Sequence, residues 1–114
     1  MSNYVMGRRL EYRIRDIFRR EGYLVIRAAS SKPIDLVCIK AGHTVLVECK
    51  AGSSWIGKVK KEELKQLSLQ SGTPILLARR KKRRVTFTVL SDGRSFEVKD
   101  LSKNLFPESL AQGP

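Results

Sequence analysis

Three charged side chains lie inside one short, otherwise apolar part of the chain. Asp35, Glu48 and Lys50 all belong to the stretch from Pro33 to Lys50, which is rich in Val, Leu and Ile. A charged group among apolar neighbours costs free energy unless it is paired or has a function. The types and spacing of these three side chains therefore make them the first candidates for chemistry.

A hairpin predicts how two of these side chains meet. If residues 41–42 form a two-residue turn, Lys40 pairs with His43. Counting back from that pair places Asp35 opposite Glu48, and Cβ atoms of directly opposed residues are about 4.5–5.5 Å apart. Two carboxylates at that separation repel each other, and a divalent cation between them removes the repulsion. A register shifted by one residue instead puts them on opposite faces of the sheet.

The third side chain extends the same face. Lys50 lies two residues after Glu48, so both point to one side of the strand. Carboxylate oxygens suit Mg²⁺, with Mn²⁺ able to substitute, and a nearby ammonium can orient water or stabilise charge on a phosphate. This pattern favours phosphodiester hydrolysis. The alternative is structural, with Asp35 capping a turn and Glu48 pairing with Lys50 on an exposed strand face.

A fourth candidate lies on the first predicted helix, from Tyr4 to Glu21. Its apolar stripe consists of Met6, Leu10, Ile14, Ile17 and Phe18. Glu11 falls beside Phe18 at the border of that stripe, from which a carboxylate can reach over the sheet edge toward a metal. The alternative is an ordinary boundary glutamate paired with Arg8 or Arg15.

The other elements predict a single α/β domain over residues 1–114, with a mixed sheet flanked by helices. Short apolar runs rich in β-branched residues predict strands at 23–27, 34–40, 44–50, 74–79, 85–90 and 95–98, the last two joined at Asp92-Gly93. A second helix is predicted at 57–71, where Val59, Leu64, Leu67 and Leu69 recur with weaker periodicity. From about residue 100 the chain reads as a loose tail or a partner-binding peptide.

The net charge points to a polyanion as partner. The 114 residues include 23 Lys+Arg against 11 Asp+Glu, a formal charge of +12. Nucleic acid is favoured over membrane lipid because no lipid-anchoring segment accompanies the charge. No run approaches the roughly 20 apolar residues of a membrane span. No secretion signal is visible, so we expect a cytoplasmic, nucleoid-associated protein. Cys38 and Cys49 read as buried thiols, since two cysteines without neighbouring histidines do not make a structural zinc site.

Basic clusters could hold a phosphate backbone. The run Arg79, Arg80, Lys81, Lys82, Arg83 and Arg84 should protrude as a hairpin tip and bind phosphates without reading sequence. Helix-one arginines, including Arg8, Arg9 and Arg13, could extend this surface. Trp55, in a small-residue loop, could stack on a base, lie in a dimer interface or simply cover the core.

The order of these motifs resembles a known family. Asp35, twelve residues, and then Glu48-Cys49-Lys50 is similar to the D…ExK core of restriction-endonuclease-like nucleases. Longer segments resemble the archaeal Holliday junction resolvases in order and spacing, over roughly residues 7–80. These segments are Gly7-Arg-Arg-Leu-Glu11, residues 21–27, Ser30-Ser31-Lys32 before residues 34–37, and residues 72–78.

The resemblance implies a restriction-endonuclease-like fold and a homodimeric, magnesium-dependent enzyme that cuts four-way DNA junctions. By position, the implied metal ligands are Glu11, Asp35 and Glu48, and the implied catalytic side chains are Lys50 and Ser31. Arg27 matches a position that serves catalysis or substrate contact, and we add Lys32, Lys58 and Lys61 as DNA contacts. Tyr12 departs from the arginine usual in the family. Two alternatives stay open: a nuclease of the same fold acting on flaps, nicks or other DNA, and a non-catalytic DNA-binding module.

Overall fold

The computed structural model describes residues 3–28, 34–51 and 56–105. Its elements follow the chain in the order α1 (Asn3–Arg20), β1 (Leu24–Arg27), β2 (Leu36–Lys40), β3 (His43–Lys50), α2 (Lys58–Ser71), β4 (Ile75–Lys81), β5 (Arg84–Val89), β6 (Ser95–Glu97) and α3 (Leu101–Leu105). A single 3-10 turn at Val98–Asp100 precedes α3. The helices and strands predicted from periodicity are all present, with ends that differ by one or two residues.

One mixed sheet organises the fold. Its six strands lie in the order β1-β2-β3-β4-β5-β6. All neighbours are antiparallel except β3 and β4, which run parallel. A parallel pair needs a long crossover connection, and α2 lies within the segment that joins these two strands. The α/β class and the mixed sheet are therefore confirmed.

Helix α1 covers one face of the sheet. Its apolar stripe packs on every second residue of β2 to β5, because alternate strand residues point to the same side. The buried members from α1 are Leu10, Ile14, Ile17 and Phe18. The phenyl ring of Phe18 meets those of Tyr23 and Phe87 edge-on, at centroid distances of 5.0 and 5.9 Å. After the helix, Gly22 adopts a positive φ of 93°, which reverses the chain into β1.

Helix α2 covers part of the other face. Leu64 is its fully buried residue and joins Leu46, Ile75 and Leu77 in a second, smaller cluster. The weak apolar pattern of this helix misleads in two places, since Val59 is 75% exposed and Leu69 is 74% exposed. The inward face is instead marked by Leu64 and Leu67, which lie three residues apart and both pack in the second cluster.

The hairpin between β2 and β3 has the predicted register. Lys40 pairs with His43, and Leu36 pairs with Val47. The two turn residues both have positive φ, 50° at Ala41 and 80° at Gly42, as a tight turn between twisted strands requires. The hairpin predicted at Asp92-Gly93 is also present, between β5 and β6.

The segment Leu101–Leu105 is helical, in contrast to the expected loose tail from about residue 100. Leu101 is 1% exposed and packs into the large apolar cluster between α1 and the sheet. The Ser102 hydroxyl donates a 2.8 Å hydrogen bond to Glu21 Oε1. The chain is therefore folded to residue 105, and the rest of the expected tail lies outside the described residues. In the part of the chain that the structure describes, no helix is long and apolar enough to cross a membrane.

The docking of α2 can be tested with two leucines of the same helix. We expect Leu64→Ala to lower the free energy of unfolding by about 2–5 kcal/mol, because it leaves a cavity in the second cluster. Leu69→Ala removes an equal side chain from an exposed position and should change stability by about 0.5 kcal/mol or less. Urea unfolding of both variants measures the difference. Equal effects would contradict the orientation of α2.

Candidate active site

The hairpin register brings Asp35 and Glu48 side by side. Because Leu36 pairs with Val47, the residues one step further along the two strands oppose each other. The backbone of Asp35 is fixed by its N–H, which donates to the Val47 carbonyl at 3.1 Å. Its carboxylate oxygen Oδ2 accepts a 2.7 Å hydrogen bond from the Cys49 N–H. The carboxylate of Asp35 is thus held at the end of β3.

The environment of Glu48 penalises its negative charge. Its side chain is only 16% exposed. The pKa of Glu48 is raised from 4.5 to about 8, first by burial and then by the hydrogen bond and the charge of Asp35, while the charges of Lys60 and Lys50 act in the opposite direction. Burial and the neighbouring Asp35 carboxylate thus both disfavour the ionised form of Glu48, which the charges of Lys60 and Lys50 favour. An arrangement of this kind is characteristic of sites that bind a cation.

Lys50 lies on the same face, as predicted, and a further cation lies beside it. The parallel register pairs Lys50 with Arg79 and Glu48 with Leu77, so Arg79 is abreast of Lys50 on this face. The prediction that Arg79 belongs to an exposed hairpin tip is wrong, because the residue lies within β4 and is half-buried. The turn itself consists of Lys82 and Arg83.

Lys60 is a charged neighbour of the site that sequence reasoning missed. Its Nζ lies 3.8 Å from Glu48 Oε2. Lys58 and Lys61, the lysines chosen from the sequence, are exposed on α2. The signal was available, because Lys60 precedes Leu64 by four residues and Leu67 by seven, which places all three on one helix face.

Glu11 approaches from the α1 side of the sheet. Its Oε1 accepts a 2.8 Å hydrogen bond from Arg27 Nε, and its side chain is 17% exposed. Its observed partner is thus Arg27 rather than the Arg8 or Arg15 considered from the sequence. The Arg27 guanidinium also lies 5.6 Å from the centre of the Tyr12 ring. Tyr12 therefore packs beside the Glu11–Arg27 pair.

The thiol of Cys49, near the end of β3, lies within electrostatic range of all three carboxylates. Burial raises the pKa of the Cys49 thiol well above its usual range, and the charges of Asp35, Glu11 and Glu48 raise it further. Asp35 and Glu48 meet on the α2 side, whereas Glu11 is paired on the α1 side.

The described residues contain no group of three or more His, Cys, Asp or Glu side chains close enough to hold a metal ion. What they do contain is an adjacent pair of carboxylates whose mutual repulsion a hard dication would relieve, so the donor set fits magnesium or manganese.

The candidate DNA contacts form an exposed basic surface on α1 and on the β4–β5 hairpin. The Arg13 Nη2 donates a 2.8 Å hydrogen bond to the carbonyl oxygen of Arg83, which joins the helix to the hairpin tip. Exposed side chains with positive charge here are Arg8, Arg9, Arg13, Arg80, Lys81, Lys82, Arg83 and Arg84. Arg84 also pairs with Glu97 at 3.6 Å. Ser31, Lys32 and Trp55 lie outside the described residues.

Comparison with known proteins decides the family. The model of the archaeal Holliday junction resolvase family, Hjc, matches residues 2–104. The chain belongs to this family. The match includes the D…ExK segment as well as Glu11 and Arg27, so the resemblance first indicated by short motifs extends over nearly the whole chain.

Two relatives illustrate the match. The crossover junction endodeoxyribonuclease Hjc of Methanocaldococcus jannaschii is 33% identical over 64 residues, which are 56% of this chain and 48% of the relative. The chain therefore matches about half the length of that curated relative. The structure of Hjc from Archaeoglobus fulgidus, a Holliday junction resolvase, superposes with a TM-score of 0.66 at 19% identity, over 80% of this chain and 79% of that one. This likeness confirms the predicted fold.

The pKa of Glu48 gives a pH dependence with a defined sign. Folding raises this pKa from 4.5 to about 8, so the folded metal-free protein binds the proton more tightly than the unfolded chain does. The resulting stabilisation is complete below the unfolded pKa and is lost as the pH rises through the folded pKa. Relative to Glu48→Gln, the free energy of unfolding of the parent should fall by about 1–3 kcal/mol across this window. Urea unfolding in chelator at a series of pH values measures it, and parallel curves for the two proteins would refute it.

Proposed function

We propose that this protein is a metal-dependent endonuclease that hydrolyses phosphodiester bonds in four-way DNA junctions. The observation that carries the proposal is the meeting of Asp35 and Glu48, with Lys50 beside them, on a partly covered face of the sheet. Membership of the archaeal Holliday junction resolvase family supports the choice of substrate. The M. jannaschii relative is named a crossover junction endodeoxyribonuclease, and the A. fulgidus relative a Holliday junction resolvase.

Each charged group of the site has a proposed role. Asp35 and Glu48 hold a divalent cation, with Mg²⁺ as the physiological ion and Mn²⁺ as a substitute. Glu11, on α1, is the third proposed ligand because of its family position and because its charge acts on Cys49 near the end of β3. When bound, the cation supplies Lewis-acid polarisation of the phosphate. Lys50 orients the attacking water and stabilises negative charge that develops on the phosphate.

Other family positions extend this machinery. Arg27 holds Glu11 in place through their 2.8 Å ion pair and is a proposed DNA contact. Ser31 is proposed as a catalytic side chain and Lys32 as a DNA contact from their family positions alone. Lys58 and Lys61 are proposed DNA contacts because both are exposed at the start of α2.

The basic surface accounts for recognition of DNA by shape. The arginines of α1 and the β4–β5 hairpin bind phosphates, which fix position without reading sequence. A four-way junction has two-fold symmetry, so a homodimer that presents two such surfaces fits it. We propose that residues 1–114 form the single nuclease domain of each subunit.

Cleavage assays test the acidic pair. Asp35→Ala and Glu48→Ala should abolish cutting of a four-way junction with magnesium, because each removes a ligand, while DNA affinity persists through the positive charge. Asp16→Ala removes an exposed carboxylate of α1 and should cut like the parent. Rates come from denaturing gels and affinities from fluorescence anisotropy. Undiminished cleavage by purified Asp35→Ala would remove the proposed metal site.

Substrate choice is tested by comparing the intact junction with its component duplex arms, with and without magnesium. We expect cleavage of the junction, dependent on the metal, and little cleavage of the arms. Equal rates of cleavage of the junction and of its arms would indicate a nuclease that acts on a broader range of DNA substrates. Absence of cleavage on every branched or linear substrate would instead favour a DNA-binding module.

The hairpin tip can be tested through salt dependence. Lys82→Ala with Arg83→Ala removes two exposed charges, so the slope of log affinity against log salt should become shallower by up to about 2. Lys99→Ala with Lys103→Ala removes two exposed charges near α3 and serves as the matched control. We expect the control to keep the parent slope. If the two double variants have the same slope, the hairpin tip makes no phosphate contact.

A further inference from the structure

Lys60 reaches the acidic pair from a helix with no recognised site motif. Its Nζ lies 3.8 Å from Glu48 Oε2, with 35% of the Lys60 side chain and 16% of the Glu48 side chain exposed. Because the pair is partly withdrawn from water, its attraction is stronger than that of a surface ion pair. The pair is therefore more than an incidental contact between exposed side chains.

The position of Lys60 is set by the core, whereas its charged end is adjustable. Leu64, one helical turn later, is fully buried and fixes α2 against the sheet. A distance of 3.8 Å is within ion-pair range but longer than a direct hydrogen bond of about 2.7–3.2 Å. A lysine carries its charge on a flexible four-carbon stem. The ammonium can therefore move away from Glu48 without any movement of the helix.

The charges of the site then give Lys60 a specific role. When all four groups are ionised, the charges of Asp35 and Glu48 are balanced by Lys50 and Lys60, the two cations whose charges act on Glu48, and Glu11 is paired separately with Arg27. A dication that joins this neutral group leaves an excess of two positive charges, so an ammonium at Glu48 opposes its entry. Once the cation is present, the same excess attracts an anionic phosphate.

We propose that Lys60 is a positioning residue: in the metal-free protein it is the counter-ion of Glu48, and it withdraws toward the substrate phosphate when a divalent cation binds. This inference rests on the proposed metal-dependent function. It predicts that free protein binds the metal more weakly than its carboxylates alone would allow. Lys60 thereby favours loading of the metal together with DNA.

The test is the affinity of the DNA-free 114-residue chain for Mn²⁺, measured from the electron paramagnetic resonance signal of the unbound ion at a fixed pH. Lys60→Met keeps the length of the stem and removes the charge, and it should bind Mn²⁺ about tenfold more tightly than the parent. The Lys60 ammonium repels a dication more strongly than it repels the proton that the dication displaces from Glu48. The gain in Mn²⁺ affinity in Lys60→Met is therefore expected also at pH values at which Glu48 is protonated. Lys60→Arg keeps the charge and should bind like the parent.

Lys65→Met is the matched control, since it removes one positive charge from the same helix five residues away. We expect its Mn²⁺ affinity to equal that of the parent. With saturating Mn²⁺, Lys60→Met should nevertheless cut a four-way junction more slowly. Tighter metal binding combined with slower cutting is a result that loss of structure alone does not produce. If Lys60→Met does not fold, Lys60→Gln is used for the same comparisons.

Different results would overturn the role of Lys60 alone or the metal site together with it. An unchanged or weaker Mn²⁺ affinity in Lys60→Met, with affinity lost in Glu48→Gln, would overturn the role of Lys60 and leave the metal site intact. Equal Mn²⁺ affinity in the parent and in Glu48→Gln would overturn both. Equal tightening by Lys60→Met and Lys65→Met would show a general charge effect and would also overturn the role of Lys60.

Discussion

The site depends on the register of the β2–β3 hairpin. A shift of one residue would turn Glu48 toward α1 and separate it from Asp35. The turn alone does not secure this register, since Ala41 adopts a left-handed φ of 50° that alanine does not favour. The apolar alternation of the strands does, because Leu36 and Val47 are fully buried under α1 only in this pairing. The core thus fixes the geometry of the acidic pair.

The unequal covering of the two sheet faces determines the chemistry that the pair can perform. Helix α1 and its large cluster seal one face, whereas α2 and a smaller cluster cover part of the other. Asp35 and Glu48 are consequently half-buried. They are sheltered enough for burial to raise the pKa of Glu48 to about 8, and yet part of their face is open. A fully exposed pair would be screened by water, and a fully buried pair would be closed to a DNA backbone.

Positive charge acts at two distances in this molecule. The net charge of +12 attracts DNA at long range and in a salt-dependent way. Within the site, Lys50 and Lys60 compensate the carboxylates at short range, where screening is weak. In the proposed function, the binding of DNA and its cleavage therefore depend on different residues.

The sequence was enough to predict the elements, the shared face of Glu48 and Lys50 and the family, because these follow from local periodicity and from motif order. It left open a hairpin register shifted by one residue, which the buried pairing of Leu36 with Val47 excludes. The contacts of Glu11 with Arg27 and of Lys60 with Glu48 become visible in the folded chain alone. Those contacts depend on how α1 and α2 dock against the sheet, and docking is set by the packing of buried side chains distant in sequence. Periodicity specifies which face of a helix turns inward, but not which strand residue it meets there.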